Sequence, residues 1–213
     1  MGAEYPDVAY GMEGDSPAFL NLISNGLNDP EHPNYGGWGG RYELYLPQFE
    51  DSNTGMFKRE GWPKDEPETR PIWTNANDSV ISPVDKKTYG GNRETIWRWR
   101  TEFQNDFAAR IQWTTKKYNE VNHPPVPAFA HSDHLTVKSG EQFVLSAAGT
   151  TDPDGDSMSY LWFQYAEAGT YKGLVSVRPF SPNLYRIPSV TAPVVESPQT
   201  IHFILKVTDK GLP

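Results

Sequence analysis

Apolar residues recur along this chain in two rhythms. Between about residues 93 and 119, Ile96, Trp99, Phe103, Phe107, Ile111 and Tyr118 fall on one side of a helix that advances about 100° per residue. The spacing predicts one helix over that stretch, with Trp97 and Trp113 at the edges of its apolar face. Beyond residue 140 the rhythm shortens to alternation. Segments 142–147, 158–165, 174–177 and 201–207 are short, rich in β-branched and aromatic residues, and separated by turn formers. Ile201, Phe203, Leu205 and Val207 share one face of the last segment, and Tyr160 and Trp162 share a face of the second. Short alternating segments at this spacing predict a β-sandwich.

Ahead of the long helical pattern a shorter one is expected. Ser16 can cap it with Pro17 at its first position, and Asn25-Gly26 can close it once Phe19, Leu20, Leu22 and Ile23 have packed. Residues 28–92 are rich in Gly, Pro, Asn, Asp and Trp without a clean period, which reads as long ordered loops. The run Asn122-His123-Pro124-Pro125-Val126-Pro127 lacks backbone donors at its prolines and favours extended chain, so it marks a boundary. The expected organisation is a helical, loop-rich part over 1–121, a proline linker over 122–127 and a β-sandwich over 128–213: an α+β chain.

Composition narrows the partners. A chain of 213 residues with 37% hydrophobic and 13% aromatic residues has enough apolar material for packed cores. A formal charge of −8 argues against nucleic acid, because phosphate binding needs clustered Lys and Arg. A neutral polysaccharide suits the chain better. No apolar run approaches the ~20 residues that span a bilayer, so no membrane partner is expected. The absence of Cys removes disulfides and thiolate chemistry.

Flat aromatic faces can carry the apolar side of a pyranose while amides and carboxylates hold its hydroxyls. Trp38, Trp62, Trp73, Tyr35, Tyr42 and Tyr45 stand among Asn34, Arg41, Asn75, Asn77 and Asp78 and offer that mixture, although local core packing would use the same aromatics. Trp38 leads the set, since the glycines of Gly36-Gly37-Trp38-Gly39-Gly40 let the backbone bend and leave an indole unshielded. Asp152, Asp154 and Asp156 alternate around Gly155. A Ca²⁺ site shared with Asp209 and an ordinary Asp-Gly turn are both open readings. Phe163 stands where an EF-hand needs its bidentate Glu. His32, His123, His131, His134 and His202 lack a zinc spacing, and Ser16 lacks the second glycine of a nucleophile elbow.

Three stretches carry a resemblance. They are residues 11–20, opening Gly11-Met12-Glu13-Gly14-Asp15-Ser16-Pro17, then residues 25–42 with Tyr35-Gly36-Gly37-Trp38-Gly39-Gly40-Arg41-Tyr42, and Thr95-Ile96-Trp97-Arg98-Trp99-Arg100 with Phe103-Gln104-Asn105-Asp106-Phe107-Ala108-Ala109-Arg110. Together they resemble bacterial cellulose-binding proteins that carry a nucleoside-hydrolase-like domain. The resemblance implies that the first part is the C-terminal remnant of such an α/β domain. It also implies that Asp15 matches the late aspartate ligand of that family's Ca²⁺ centre, with Glu13 as a second carboxylate and helix capping by Asp15 as the alternative. Thr151-Asp152-Pro153-Asp154-Gly155-Asp156, Tyr160-Leu161-Trp162 and Val207-Thr208-Asp209 resemble the immunoglobulin-like repeats of secreted bacterial carbohydrate-active proteins. That likeness implies a sandwich lacking its last strand, with an unpaired edge open to self-association. The resulting expectation is a secreted or periplasmic, non-catalytic binder of cellulose-type polysaccharide, exported by a leader outside this sequence. The rivals are part of a Ca²⁺-dependent glycosidase and a Ca²⁺-stabilised spacer.

Overall fold

A computed structural model describes residues 15–46, 70–179 and 185–209. The chain divides into two compact units, Met1–Arg100 and Thr101–Pro213.

In the first unit, helix α1 (Asp15–Asn21) leads through a 3-10 turn (Pro33–Tyr35) to strand β1 (Tyr42–Tyr45). Strands β2 (Ile72–Asn75), β3 (Asp78–Ile81) and β4 (Thr88–Gly91) follow, and then helix α2 (Glu94–Trp97). β1 pairs antiparallel with β2, and β3 with β4. The described part of the stretch read as loops therefore contains four strands. Each is only four residues long, so alternation is too brief to register, and pairing supplies what propensity does not. The β3–β4 turn is built by Ser82, whose hydroxyl accepts from the Val84 and Asp85 amides at 3.2 and 3.4 Å, while Lys86 takes the left-handed conformation at φ 61°. Tyr89 closes the turn by donating to Asp85 at 2.7 Å. That hydrogen bond holds the Asp85 carboxyl below its ordinary range and pushes the Tyr89 phenol up.

Leu20 of α1 is buried, whereas Phe19 and Leu22 are exposed, contrary to the packing expected of them. The inward side of this short helix is the one that meets the Gly39 backbone, through Asn21 and the Pro17 carbonyl. The long helix is also interrupted: α2 ends at Trp97, α3 spans Arg100–Thr115, and a 3-10 turn covers Tyr118–Glu120. Trp97 and Trp99 are both buried. In a continuous helix two positions two residues apart point about 200° from each other, yet the ladder does not run on unchanged between these two. The Trp99 amide bonds instead to the Ile96 carbonyl, a tighter i−3 contact, at 3.0 Å. Phe107 and Ile111, expected on a buried face, are exposed, and α3 buries none of its residues.

The second unit carries its core between two small sheets. One has the order β5 (Gln142–Val144), β8 (Pro188–Thr191), β7 (Val177–Pro179); the other pairs β6 (Ser159–Gln164) with β9 (Phe203–Thr208). Leu145, Ala147, Trp162, Val175 and Val190 form the buried cluster, with Tyr160, Ile201, Phe203 and Leu205 packed against it, as the alternation predicts. β8 is absent from the sequence reading because Pro188 opens it; proline is tolerated at a strand's first position, and this strand becomes the centre of its sheet. Leu174 does not begin a strand and is 88% exposed. The Gln164 amide takes the Gly173 carbonyl at 2.9 Å and the Val175 N–H at 2.7 Å, so a side chain occupies that backbone in place of a ladder. The proline run is bound into this unit. Val126 bridges Thr151, and Asn122 accepts from the Trp113 indole at 2.9 Å and donates to Asp209 at 3.0 Å. The chain divides into its two compact units between Arg100 and Thr101.

Candidate functional site: an aromatic ribbon face

Asn28 organises the glycine loop. It adopts φ 59°, donates its backbone N–H to the Gly36 carbonyl at 3.2 Å and accepts the Gly39 N–H on its side-chain oxygen at 3.1 Å. A Cβ on Gly37 would stand 2.1 Å from that oxygen, and one on Gly39 would stand 2.6 Å from the Asn21 Cβ. These glycines serve close backbone approach, and Trp38 between them is half-buried. Tyr35, in the adjoining 3-10 turn, stacks on His32 with ring centroids 4.4 Å apart.

The loop delivers the chain into β1 at a fixed register. Arg41, one residue before the strand, accepts the Ala76 N–H on its carbonyl at 3.1 Å. Its guanidinium donates to Asp78 at 2.8 Å and to the Asn77 carbonyl at 2.7 Å. Arg98 Nη1 reaches the other Asp78 oxygen at 3.2 Å, and the Asp78 side chain is wholly buried. Arg41 and Asp78, read in the sequence among the sugar-edge groups, thus form an internal clamp.

The register that follows pairs Tyr42 with Asn75 and Leu44 with Trp73. Because strand side chains alternate, these four residues project from one face, and Glu43, Tyr45, Ile72 and Thr74 from the other. Leu44 is 52% and Trp73 46% exposed, Asn75 is exposed, and Tyr42 is half-buried with its hydroxyl donated to the Gly39 carbonyl at 3.2 Å. Two of the predicted aromatics, Tyr42 and Trp73, therefore share a face as diagonal neighbours across the strands. Leu44 belongs to the same face and was not legible beforehand, since it joins only through a pairing between segments far apart in sequence. Trp62 lies outside the described residues.

The acidic candidates lie elsewhere. Glu13 is outside the described residues, and Asp15 opens α1. Asp152 accepts the Asp154 and Asp156 amides on one oxygen, both at 2.9 Å, in the manner of an Asp-turn. Asp154 accepts the His123 backbone N–H at 2.6 Å and lies 3.0 Å from the His123 Nδ1; these bonds hold its carboxyl below the usual range. The His123 ring stacks on Tyr118 at 3.8 Å and faces Trp113 at 5.6 Å. Among the described residues no three His, Asp or Glu side chains converge as metal ligands. Asp154 and Asp209 also accept from protein donors, while the second Asp152 oxygen is buried without a hydrogen-bond partner.

Residues 1–42 match the nucleoside hydrolase-like domain of cellulose-binding Sde182, and residues 142–213 match the C-terminal domain of cellulose-binding protein Sde0182. A solved structure, described as a nucleoside hydrolase-related hypothetical protein from Saccharophagus degradans associated with carbohydrate metabolism, is 31% identical, with a TM-score of 0.67. The alignment covers 97% of this chain and 46% of that one, so this chain spans less than half of the related structure's length. No curated protein matches the sequence.

Proposed function

We propose that this chain, related through both matched segments to the cellulose-binding Sde0182 proteins, binds neutral polysaccharide through the exposed face of the β1–β2 ribbon. The observation that carries the reading is the register. It sets an exposed indole beside a phenol whose ring is anchored by its own hydroxyl, with an exposed amide, Asn75, directly across from that phenol. An aromatic plane takes the C–H face of a pyranose and an amide takes its hydroxyls, which is the division of labour that sugar recognition needs. A tethered ring loses little freedom on binding. The binding role requires no metal and no catalytic group. The second unit, with two small sheets closed over Trp162, is in this reading an immunoglobulin-like sandwich acting as a structural module.

The test is retention of the purified chain on microcrystalline cellulose, xylan and chitin against an albumin control. Selective retention, reduced in Trp73→Ala with an unchanged far-ultraviolet spectrum, is the expected result. Failure to bind any of the matrices removes the proposed function.

A further inference from the structure

We propose that Asn25-Gly26 is a self-modification site, at which the Gly26 backbone nitrogen closes on the Asn25 side-chain carbon, expels ammonia and leaves an aspartyl or isoaspartyl residue. The sequence contains one Asn-Gly pair, and it stands in the connection that follows α1. Asn25 is folded back along that connection. Its Oδ1 accepts the Leu27 N–H at 3.0 Å, an Asx-turn whose closed ring contains both the side-chain carbon and the Gly26 nitrogen. When the nitrogen adds, Oδ1 takes the negative charge, and the Leu27 N–H already stands at the distance from which a donor stabilises a developing oxyanion. Attacker and carbonyl belong to adjacent residues, so no encounter has to be arranged. The leaving group is not held either, since Asn25 Nδ2 is buried without a hydrogen-bond partner among the described residues. Gly26 supplies the room: it lies at φ 84°, and an added Cβ would meet nothing within 4 Å.

The Gly26 N–H gives its proton to solvent base as the N–Cγ bond forms. The Cγ–Nδ2 bond then breaks, and Nδ2 leaves as ammonia with a proton returned from water. One water opens the resulting succinimide. Cleavage at the side-chain carbonyl gives aspartate; cleavage at the main-chain carbonyl gives isoaspartate, in which the backbone runs through Cβ and Cγ and is lengthened. Either product places a carboxylate shortly before Asn28, whose side chain donates to the Leu20 carbonyl of α1 at 3.4 Å and accepts the Gly39 N–H at 3.1 Å. The longer isoaspartyl link should loosen the glycine loop from α1. Asp154-Gly155 is the control within the same chain. Gly155 has φ 76° and the same open space, but Asp154 is a carboxylate engaged by the His123 backbone and ring. An anion whose oxygens are held is a poor electrophile, so this pair should keep its ordinary link.

The test ages the full chain in mildly alkaline buffer, native and in urea, and maps its peptides by mass spectrometry with isoaspartyl methyltransferase as the label. The peptide spanning Asn25 should gain the mass of an amide turned into an acid at least as fast in the native chain as in urea, and ahead of every other asparagine. Asp154 should not label. Leu27→Pro removes the N–H from Oδ1 and should lower the native-to-urea rate ratio about tenfold, a modest part of what one oxyanion donor contributes in an enzyme. The aged native chain should also melt below the fresh one. Native conversion much slower than conversion in urea would overturn the proposal, because the fold would then protect the bond, and this comparison needs no variant. An unchanged ratio in folded Leu27→Pro would overturn the part given to its N–H. Labelling of Asp154 as fast as Asn25 would overturn it too, by assigning the reaction to the glycine alone.

Discussion

Arg41 Nε stands 2.8 Å from Asp78 Oδ1 with both side chains withdrawn from solvent, and the pair joins the residue before β1 to the first residue of β3. Arg98 holds the second carboxylate oxygen. Removing the shared anion takes from two guanidinium groups the carboxylate that both meet, which costs far more than the net worth of an intact pair. Asp78→Asn is expected to destabilise the chain by about 3–5 kcal/mol in urea denaturation. The exposed Arg110–Asp106 pair provides the contrast, with Asp106→Asn costing about 1 kcal/mol or less. Equal effects of the two substitutions would show that the buried clamp does not set the ribbon.

Gly37 and Gly26 separate two reasons for glycine. Gly26 has φ 84° with nothing within 4 Å of an added Cβ, so Gly26→Ala carries a conformational cost alone, about 1 kcal/mol. At Gly37 the added carbon would displace Asn28, which holds the Gly39 amide, and overpacking against the backbone of that loop adds about 1–3 kcal/mol. Thermal melts should rank Gly37→Ala below Gly26→Ala. The reverse order would mean that Asn28 moves aside freely.

How far the sequence could be read follows from the range of the interactions involved. The alternation of Ile201, Phe203 and Leu205, and of Tyr160 with Trp162, anticipates the core of the second unit, because period-2 burial is a local property. Tyr42 and Trp73 were identifiable as candidates, but their common face depends on a register fixed by Arg41 and Asp78 from positions far apart in the chain. The break between Trp97 and Trp99 escaped for a related reason. Periodicity weighs each indole against an ideal helix and carries no mark of where α2 ends and α3 begins. The Asp152–Asp156 turn shows the opposite limit, since a carboxylate pattern reads alike whether its partners are cations or backbone amides.

Asp154 makes the second unit acid-sensitive. Its folded carboxyl is held below the ordinary range by hydrogen bonds from His123, first through the ring and then through the backbone. A depressed folded value means that the contribution is fully present above the unfolded carboxylate pKa and is lost as pH falls through the folded one. Melting temperatures of the native chain and Asp154→Asn should differ above about pH 5 and converge toward pH 2. A gap that stays constant over that range would assign the stabilisation to packing of His123 on Tyr118 instead.

Gln164 offers the most local test of the second unit's architecture. From the end of β6 its amide donates to the Gly173 carbonyl at 2.9 Å and accepts the Val175 N–H at 2.7 Å, and Val175 belongs to the buried cluster. Replacing Gln164 with Leu conserves much of the volume but leaves a carbonyl and an amide unpartnered next to the core, which costs about 1–3 kcal/mol for a buried group without its partner. Hydrogen exchange at the Val175 amide gives the specific readout. In Gln164→Leu it should accelerate well beyond the change at the Val190 amide, which lies in β8 and makes no contact with this side chain's hydrogen bonds. Uniform acceleration across both sites would indicate a global loss of stability and deny Gln164 its role as the local substitute for a strand ladder at 173–175.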